Sequence, residues 1–158
     1  MKLTAIILLL SLNLYGGNVY DYIRDDYLRD HWKQGSLMVV AGACDGTMDA
    51  LRFHYSDVKS AVPSLNDQFW NPSLSWTNKY KNNDVNQGES FYLSSRSLVC
   101  LTDGWHALKA VRNVSITMAL TINISDIGDK NIWCYAVDII YYTLCRYVGF
   151  YSTYDLIF

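Results

Sequence analysis

The stretch Gly35-Ser36-Leu37-Met38-Val39-Val40-Ala41-Gly42-Ala43-Cys44-Asp45-Gly46-Thr47-Met48-Asp49-Ala50-Leu51 decides the fold. It holds no proline and, as far as Cys44, no charge. Beyond that point the polar positions recur at helical intervals. Gly42, Asp45, Asp49, Arg52 and Ser56 are separated by three or four residues, so a helix carries them on one face. A strand would alternate with period two, and the run is too long for one. Gly42 and Gly46 form G-x-x-x-G, a spacing that lets two helix backbones approach closely in a membrane.

Two further apolar runs follow. Leu98 to Ile122 is interrupted by Asp103, His106, Lys109 and Arg112. Read as a helix, it places Thr102, Asp103, His106, Lys109 and Asn113 on one face and Leu98, Leu101, Trp105, Leu108 and Val111 on the other. Ile132 to Phe150 contains Asp138 and Arg146. Its length favours a helix, while its Tyr, Ile and Val content keeps a strand open on propensity. Between the Gly35–Leu51 and Leu98–Ile122 runs, 56–96 is polar, aromatic and amide-rich and holds both Pro63 and Pro72. It reads as a long loop with short helical or turn pieces. Residues 18–33 carry mixed charges and suit a solvated helix or turn. At the start, Lys2 followed by Ala5 to Leu10, Leu12 and Leu14 has the shape of a signal peptide or a short first anchor over 1–17.

The expected fold is therefore all-α: one membrane domain over 1–158, a small bundle of three to four membrane helices with a long polar and aromatic loop. The helices are expected over 35–55, 97–122 and 131–150, with 1–17 the fourth if it is kept, and the loop over 56–96. With Lys2 inside, alternation puts the loop bearing Arg52, Lys59, Lys79, Lys81 and Arg96 on the same side, in agreement with the positive-inside tendency.

Composition narrows the classes. The chain has 158 residues, 51% apolar and only 18% charged, against about 25% charged in average soluble chains. Its mean hydropathy is +0.01. Disorder, collagen, coiled coil and a basic nucleic-acid module are excluded, and a net charge of -2 gives no electrostatic reason to expect DNA or RNA. Thirteen Tyr and five Trp suit boundaries with one apolar and one wet end. The expected partner is thus the lipid bilayer, with no nucleic acid. Cys44, Cys100, Cys134 and Cys145 each sit in an apolar run and form no CxxC; they read as buried thiols, with two disulfides as the alternative in a secreted domain.

Ionisable groups at membrane depth cost several kcal/mol, on the order of 3, unless paired or wet. If both polar stripes turn inward, Asp45, Asp49, Asp103 and His106 meet near Lys109 or Arg52, and Asp138 and Arg146 can join them. One reading is an ion-paired network that fixes helix packing. Another is a proton or divalent-metal site, since two carboxylates at i, i+4 and an Asp/His pair at i, i+3 can converge on one cation. A third leaves these faces wet at the membrane surface. His31 reads as exposed or interfacial beside Trp32, and His54 as a cation near a helix C-terminus. Asp45-Gly46 to Arg52 can be laid over Asp103-Gly104 to Lys109 with one gap, too short a match to establish a repeat. No Ser-His-Asp or Cys-His signature, Gly-x-Ser-x-Gly or phosphate loop is present.

The central stretch is the most specific. Phe69-Trp70-Asn71-Pro72, Ser75-Trp76, Asn78-Lys79-Tyr80-Lys81 and Gln87-Gly88, then Thr102-Asp103-Gly104-Trp105-His106, resemble a family of small, uncharacterised bacterial membrane proteins with FWNPxxSWxNKYK and TDGWH motifs. The upstream Ala-Gly-Ala-x-Asp-Gly and Phe53-His54-Tyr55 are similar too, so the resemblance covers roughly 38–112. It implies a multi-helix protein of a bacterial membrane, the inner one, and no particular reaction. Because the shared motifs join the loop to both stripes, Trp70, Asn71, Trp76, Asn78 and Lys79 are candidates for a binding cap above the helix pair. The expected role is structural or interaction-type. The rivals are a membrane-embedded enzyme acting on lipid or envelope substrates through the Asp/His cluster, a small transport or pore component, and a secreted soluble domain.

Overall fold

The computed structural model describes residues 19–24, 27–125, 130 and 132–155, and the 1–17 leader or anchor lies outside them. Described residues form α1 (Val19–Arg24), α2 (Tyr27–Phe53), α3 (Tyr55–Ala61), α4 (Asp67–Trp70) and α5 (Pro72–Ser75). Four short 3-10 turns follow at Trp76–Lys79, Lys81–Asn83, Val85–Gln87 and Val99–Leu101, then the long helices α6 (Gly104–Ser125) and α7 (Ile132–Tyr154). The only strand-like feature among them is one isolated bridge between Tyr80 and Glu89. The Ile132–Phe150 run is thus helical, its β-branched and aromatic content overridden by packing.

Two helix starts differ from the sequence reading. Helix α2 begins at Tyr27 rather than near 35, because the polar segment before it is one-sided: Tyr27, His31 and Gln34 are buried while Arg29, Asp30 and Lys33 face out. His31 is therefore not exposed or interfacial as its neighbours suggested. Helix α6 begins at Gly104 rather than 97, because Asp103 accepts the His106 backbone N–H at 2.9 Å and so caps the helix.

Helix α2 lies at the centre and packs along both α7 and α6. It runs parallel to α7: Gly35 faces Tyr141, Gly42 faces Arg146 and Phe150, and Gly46 faces Phe150 and Thr153. It runs antiparallel to α6, with Leu51 near Leu108, Asp45 at Arg112 and Met38 against Ala119. The expected G-x-x-x-G approach is present. A Cβ on Gly42 would overlap the Arg146 carbonyl, one on Gly46 would meet the Phe150 carbonyl and the Thr153 hydroxyl, and one on Gly149 would overlap the Val39 carbonyl. At this separation the Thr153 hydroxyl reaches the Ala43 carbonyl across the seam at 3.1 Å.

Two apolar clusters flank the seam. Met38, Ala119 and Tyr142 fill the middle of the bundle. Ala50, Leu51 and Val58 fill one end, where Trp70, Leu65 and Tyr154 close over them. The four cysteines are free thiols, two buried and two partly so.

No helix among the described residues is long and apolar enough to cross a membrane. The long helices carry Asp45, Asp49, Arg112, Asp138 and Arg146 within their spans, and these lower each helix's average.

Gly42→Ala is expected to destabilise the chain by about 1–3 kcal/mol through overpacking of the seam, whereas Ser36→Ala on the exposed face should stay within about 0.5 kcal/mol. Denaturant unfolding of the purified full chain followed by circular dichroism checks this; an unaffected Gly42→Ala refutes close packing at the seam.

Candidate functional site

The polar residues of the long helices divide into three separate groups. The first centres on Asp45 of α2. Its Oδ1 accepts Arg112 Nη1 of α6 at 3.2 Å, and its Oδ2 accepts Arg146 Nε and Nη2 of α7 at 2.9 and 2.5 Å. One carboxylate therefore ties all three long helices together, and two guanidiniums share it. Asp49, one turn further on, makes no hydrogen bond or ion pair with any described residue. Lys109 and Arg52, the expected partners, lie elsewhere: Lys109 Nζ stands 5.1 Å over the Trp105 ring and Arg52 5.2 Å over Phe53.

The second group is Asp103 with His106. Asp103 is 1% exposed. Besides capping α6, it takes the His106 Nδ1 contact at 2.7 Å and the Thr102 hydroxyl at 3.2 Å on Oδ2. The His106 ring is partly exposed and edge-on to Trp105. An imidazole held through Nδ1 presents Nε2 in a fixed direction.

Asp103 and Asp45 stand at different levels. Arg112 marks the level of Asp45 on α6, nine residues beyond Asp103, which is about 14 Å along a helix. The four expected metal ligands Asp45, Asp49, Asp103 and His106 are thus not brought together. Among the described residues no group of three or more His, Cys, Asp or Glu is placed to hold a metal ion. The apparent repeat dissolves on the same ground: Asp45-Gly46 is mid-helix and Asp103-Gly104 is a helix start.

The third group was not assembled from the sequence. Asp138, 1% exposed, accepts the hydroxyls of Tyr22 at 2.8 Å and Tyr27 at 2.7 Å on Oδ1. Lys130 Nζ lies 3.4 Å from its Oδ2 and 3.0 Å from Asn123 Oδ1. The buried His31 donates Nδ1–H to the Tyr27 carbonyl at 3.0 Å and places Nε2 2.8 Å from the Tyr22 hydroxyl. The one Tyr22 hydroxyl hydrogen lies between two neighbours. Tyr27 and His31 at i, i+4 were the available signal, hidden because the surrounding charges made the segment look wholly solvated.

The loop candidates serve mainly to fold the loop. Trp70 packs on Gly104, where any Cβ would strike the indole, so the FWNP and DGWH motifs meet in space. Asn71 caps α5 by accepting the Ser73 N–H at 3.0 Å. Asn78 exchanges bonds with Gln68 and donates to the Thr102 carbonyl at 2.9 Å, tying the loop to the start of α6. Lys79 stands over the Trp76 and Tyr80 rings at 5.9 and 5.4 Å. Trp76 is the exposed member. These residues adjoin Asp103 and His106 and leave the Asp45 group uncapped. His54 contacts the Tyr154 hydroxyl at 3.1 Å, joining the end of α2 to the end of α7.

Carboxylates organise the rest of the loop. Lys59 and then the Tyr55 hydroxyl hold the Asp67 carboxyl below the usual range. The Asn86 N–H and the Gln87 amide do the same for Asp84, and the Ser95 hydroxyl for Glu89. They secure a turn with left-handed Asn82, Asn83 and Gly88, which Asn and Gly tolerate best.

Among the described residues, grooves open on the surface. One of about 590 Å³ lies between α2 and α7, lined by Asp45, Asp49, Thr143, Arg146, Tyr147, Phe150 and Tyr151. A shallower one of about 470 Å³ lies on the loop beside Asn78, Phe69 and Phe91. No protein-family model, curated protein or solved structure matches the chain.

Asp103→Ala is expected to lower stability by about 1–2 kcal/mol through the lost cap, with Asp103→Asn nearer the parent because Asn caps equally well. Thermal unfolding of both variants tests the assignment, and equal losses would refute the capping role. A second expectation concerns acid. The loop carboxylates titrate below their ordinary value, so their stabilisation is complete at neutral pH and is lost as pH falls through about 4 and below. Protection factors of amides over 79–95, taken against the intrinsic exchange rate at each pH, should therefore fall in that window before those of the long helices; a loop as protected at pH 3 as at pH 7 refutes it.

Proposed function

We propose that this chain is a helical membrane protein with a structural or interaction role, and that lipid covers the outer faces of α6 and α7. The observation that carries the reading is the distribution of apolar and charged groups. Val111, Val114, Met118 and Ile124 of α6 and Ile139, Ile140, Leu144 and Val148 of α7 are exposed, while Asp138 is buried and Asp45 is paired with Arg112 and Arg146. Soluble monomers rarely leave contiguous apolar surface of this extent uncovered. Helices of 22 and 23 residues extend about 33–35 Å, comparable to a hydrocarbon core of about 30 Å. A carboxylate buried among its partners, as Asp138 is, is what such a medium requires. The Trp- and Tyr-rich loop, with Lys79 over Trp76 and Tyr80, has the composition of an interface.

Membrane fractionation of cells expressing the full chain tests this. The expected result is a pellet that resists carbonate and dissolves in detergent. Recovery in the carbonate-soluble fraction would overturn the proposal.

A further inference from the structure

We propose that the groove between α2 and α7 binds a phosphorylated amino alcohol, a zwitterion with a phosphate at one end and an ammonium at the other. Three features of its wall lead there. Arg112 and Arg146 both bind Asp45, so two positive charges face one negative charge. Of the two, only Arg146 lines the groove, and its side chain is 46% exposed there. A guanidinium whose carboxylate is already shared has capacity for a phosphate oxygen. On the facing helix, Asp49 lines the same groove as a carboxylate with no partner among the described residues. It is the complementary pole, a place for a cation. The third feature is apolar and aromatic: Tyr147, Phe150 and Tyr151 complete the wall, Tyr147 and Tyr151 with nearly parallel rings 5.9 Å apart and Phe150 edge-on to Tyr151. Ring faces beside a carboxylate are how proteins recognise substituted ammonium groups.

The two poles together separate this ligand from simpler ones. A metal ion would face Arg146 as well as Asp49, and no third ligand of the usual kinds is placed beside them among the described residues. Inorganic phosphate would satisfy Arg146 and be repelled by Asp49. A zwitterion satisfies both. The site chemistry does not rest on the membrane reading, and the same group occurs in lipid headgroups and in soluble esters.

The test uses the purified full chain in a maltoside detergent, titrated with phosphocholine by calorimetry, with tetramethylammonium alone and inorganic phosphate alone in parallel. Saturable phosphocholine binding is expected, with each half-ligand weaker by about tenfold or more. Asp49→Asn should weaken phosphocholine by about tenfold and leave inorganic phosphate no weaker; Tyr147→Leu should weaken phosphocholine and tetramethylammonium alike. Unchanged circular dichroism establishes that both variants fold. Absence of saturable binding, or parent-like binding by both folded variants, overturns the proposal. Displacement by dihexanoyl-phosphatidylcholine at lower concentration than phosphocholine itself assigns the ligand to a lipid headgroup, and displacement no better than phosphocholine assigns it to a soluble ester. Because these titrations are independent of carbonate extraction, the site and the membrane reading can fail separately.

Discussion

The close approach of α2 and α7 at Gly42, Gly46 and Gly149 is the constraint on which the rest of the molecule depends. Glycines on both helices let backbone meet backbone, so little side-chain volume separates the two axes. That contact also sets the register. With Gly149 against Val39 and Ala43, Arg146 lies beside Gly42 with its guanidinium at Asp45. A slip by one turn would drive a larger side chain into the seam and carry the guanidinium away from its carboxylate. Packing and charge therefore select the same alignment, and such agreement between levels gives one structure an advantage over its neighbours.

Asp45 extends the constraint to the third helix. It is too short to reach far, yet Arg112 of α6 and Arg146 of α7 both come to it. Ion pairs of this kind contribute modestly to net stability, because desolvation offsets much of the attraction, but removing one partner leaves the other exposed to the full cost. Their consequence is alignment: a three-helix arrangement with α2 parallel to α7 and antiparallel to α6. The Asp138 group acts the same way at another level of the bundle, joining α1, α2 and α7 through two tyrosine hydroxyls and the buried His31. At the opposite end of α2, Trp70 on Gly104 closes the bundle with the loop.

The helices, the long loop and the glycine seam were legible because they rest on period and on steric size, both local properties of the sequence. Element starts were less so. Asp103 looked like a mid-helix member of a stripe, and only the turn before it reveals a cap. The inward direction expected of the stripes was legible only in part: Asp103 is buried and Asp45 partly so, while Arg52, Ser56, Lys109 and Asn113 are exposed. Their partners were not. Spacing along one helix says which residues share a face, but the level at which two helices meet depends on their register, and that is set by Gly149, a residue with no charge to draw attention. Hence Asp45 is matched from sequence with Lys109 or Arg52, with Arg146 only able to join and Arg112 not named, and one cluster is expected where the described residues form three groups. The loop candidates were found as a set, but their amides are used within the loop itself.

The same geometry explains why whole-chain and whole-helix averages are poor guides here. Mean hydropathy weights every side chain equally, whereas a surrounding medium meets only the outer ones. In α7 the buried Asp138 reduces the average without reaching the surface, whereas Arg146 reaches it beside Ile139, Ile140, Leu144 and Val148. A charge that is satisfied inside the bundle has its cost offset by its partner and leaves the polarity of the outer face unchanged. What bears on the covering of each face is therefore its polarity after pairing: the exposed residues of α7 are mostly apolar, whereas on α6 Val111, Val114, Met118 and Ile124 alternate with the exposed Lys109, Asn113, Thr117 and Thr121.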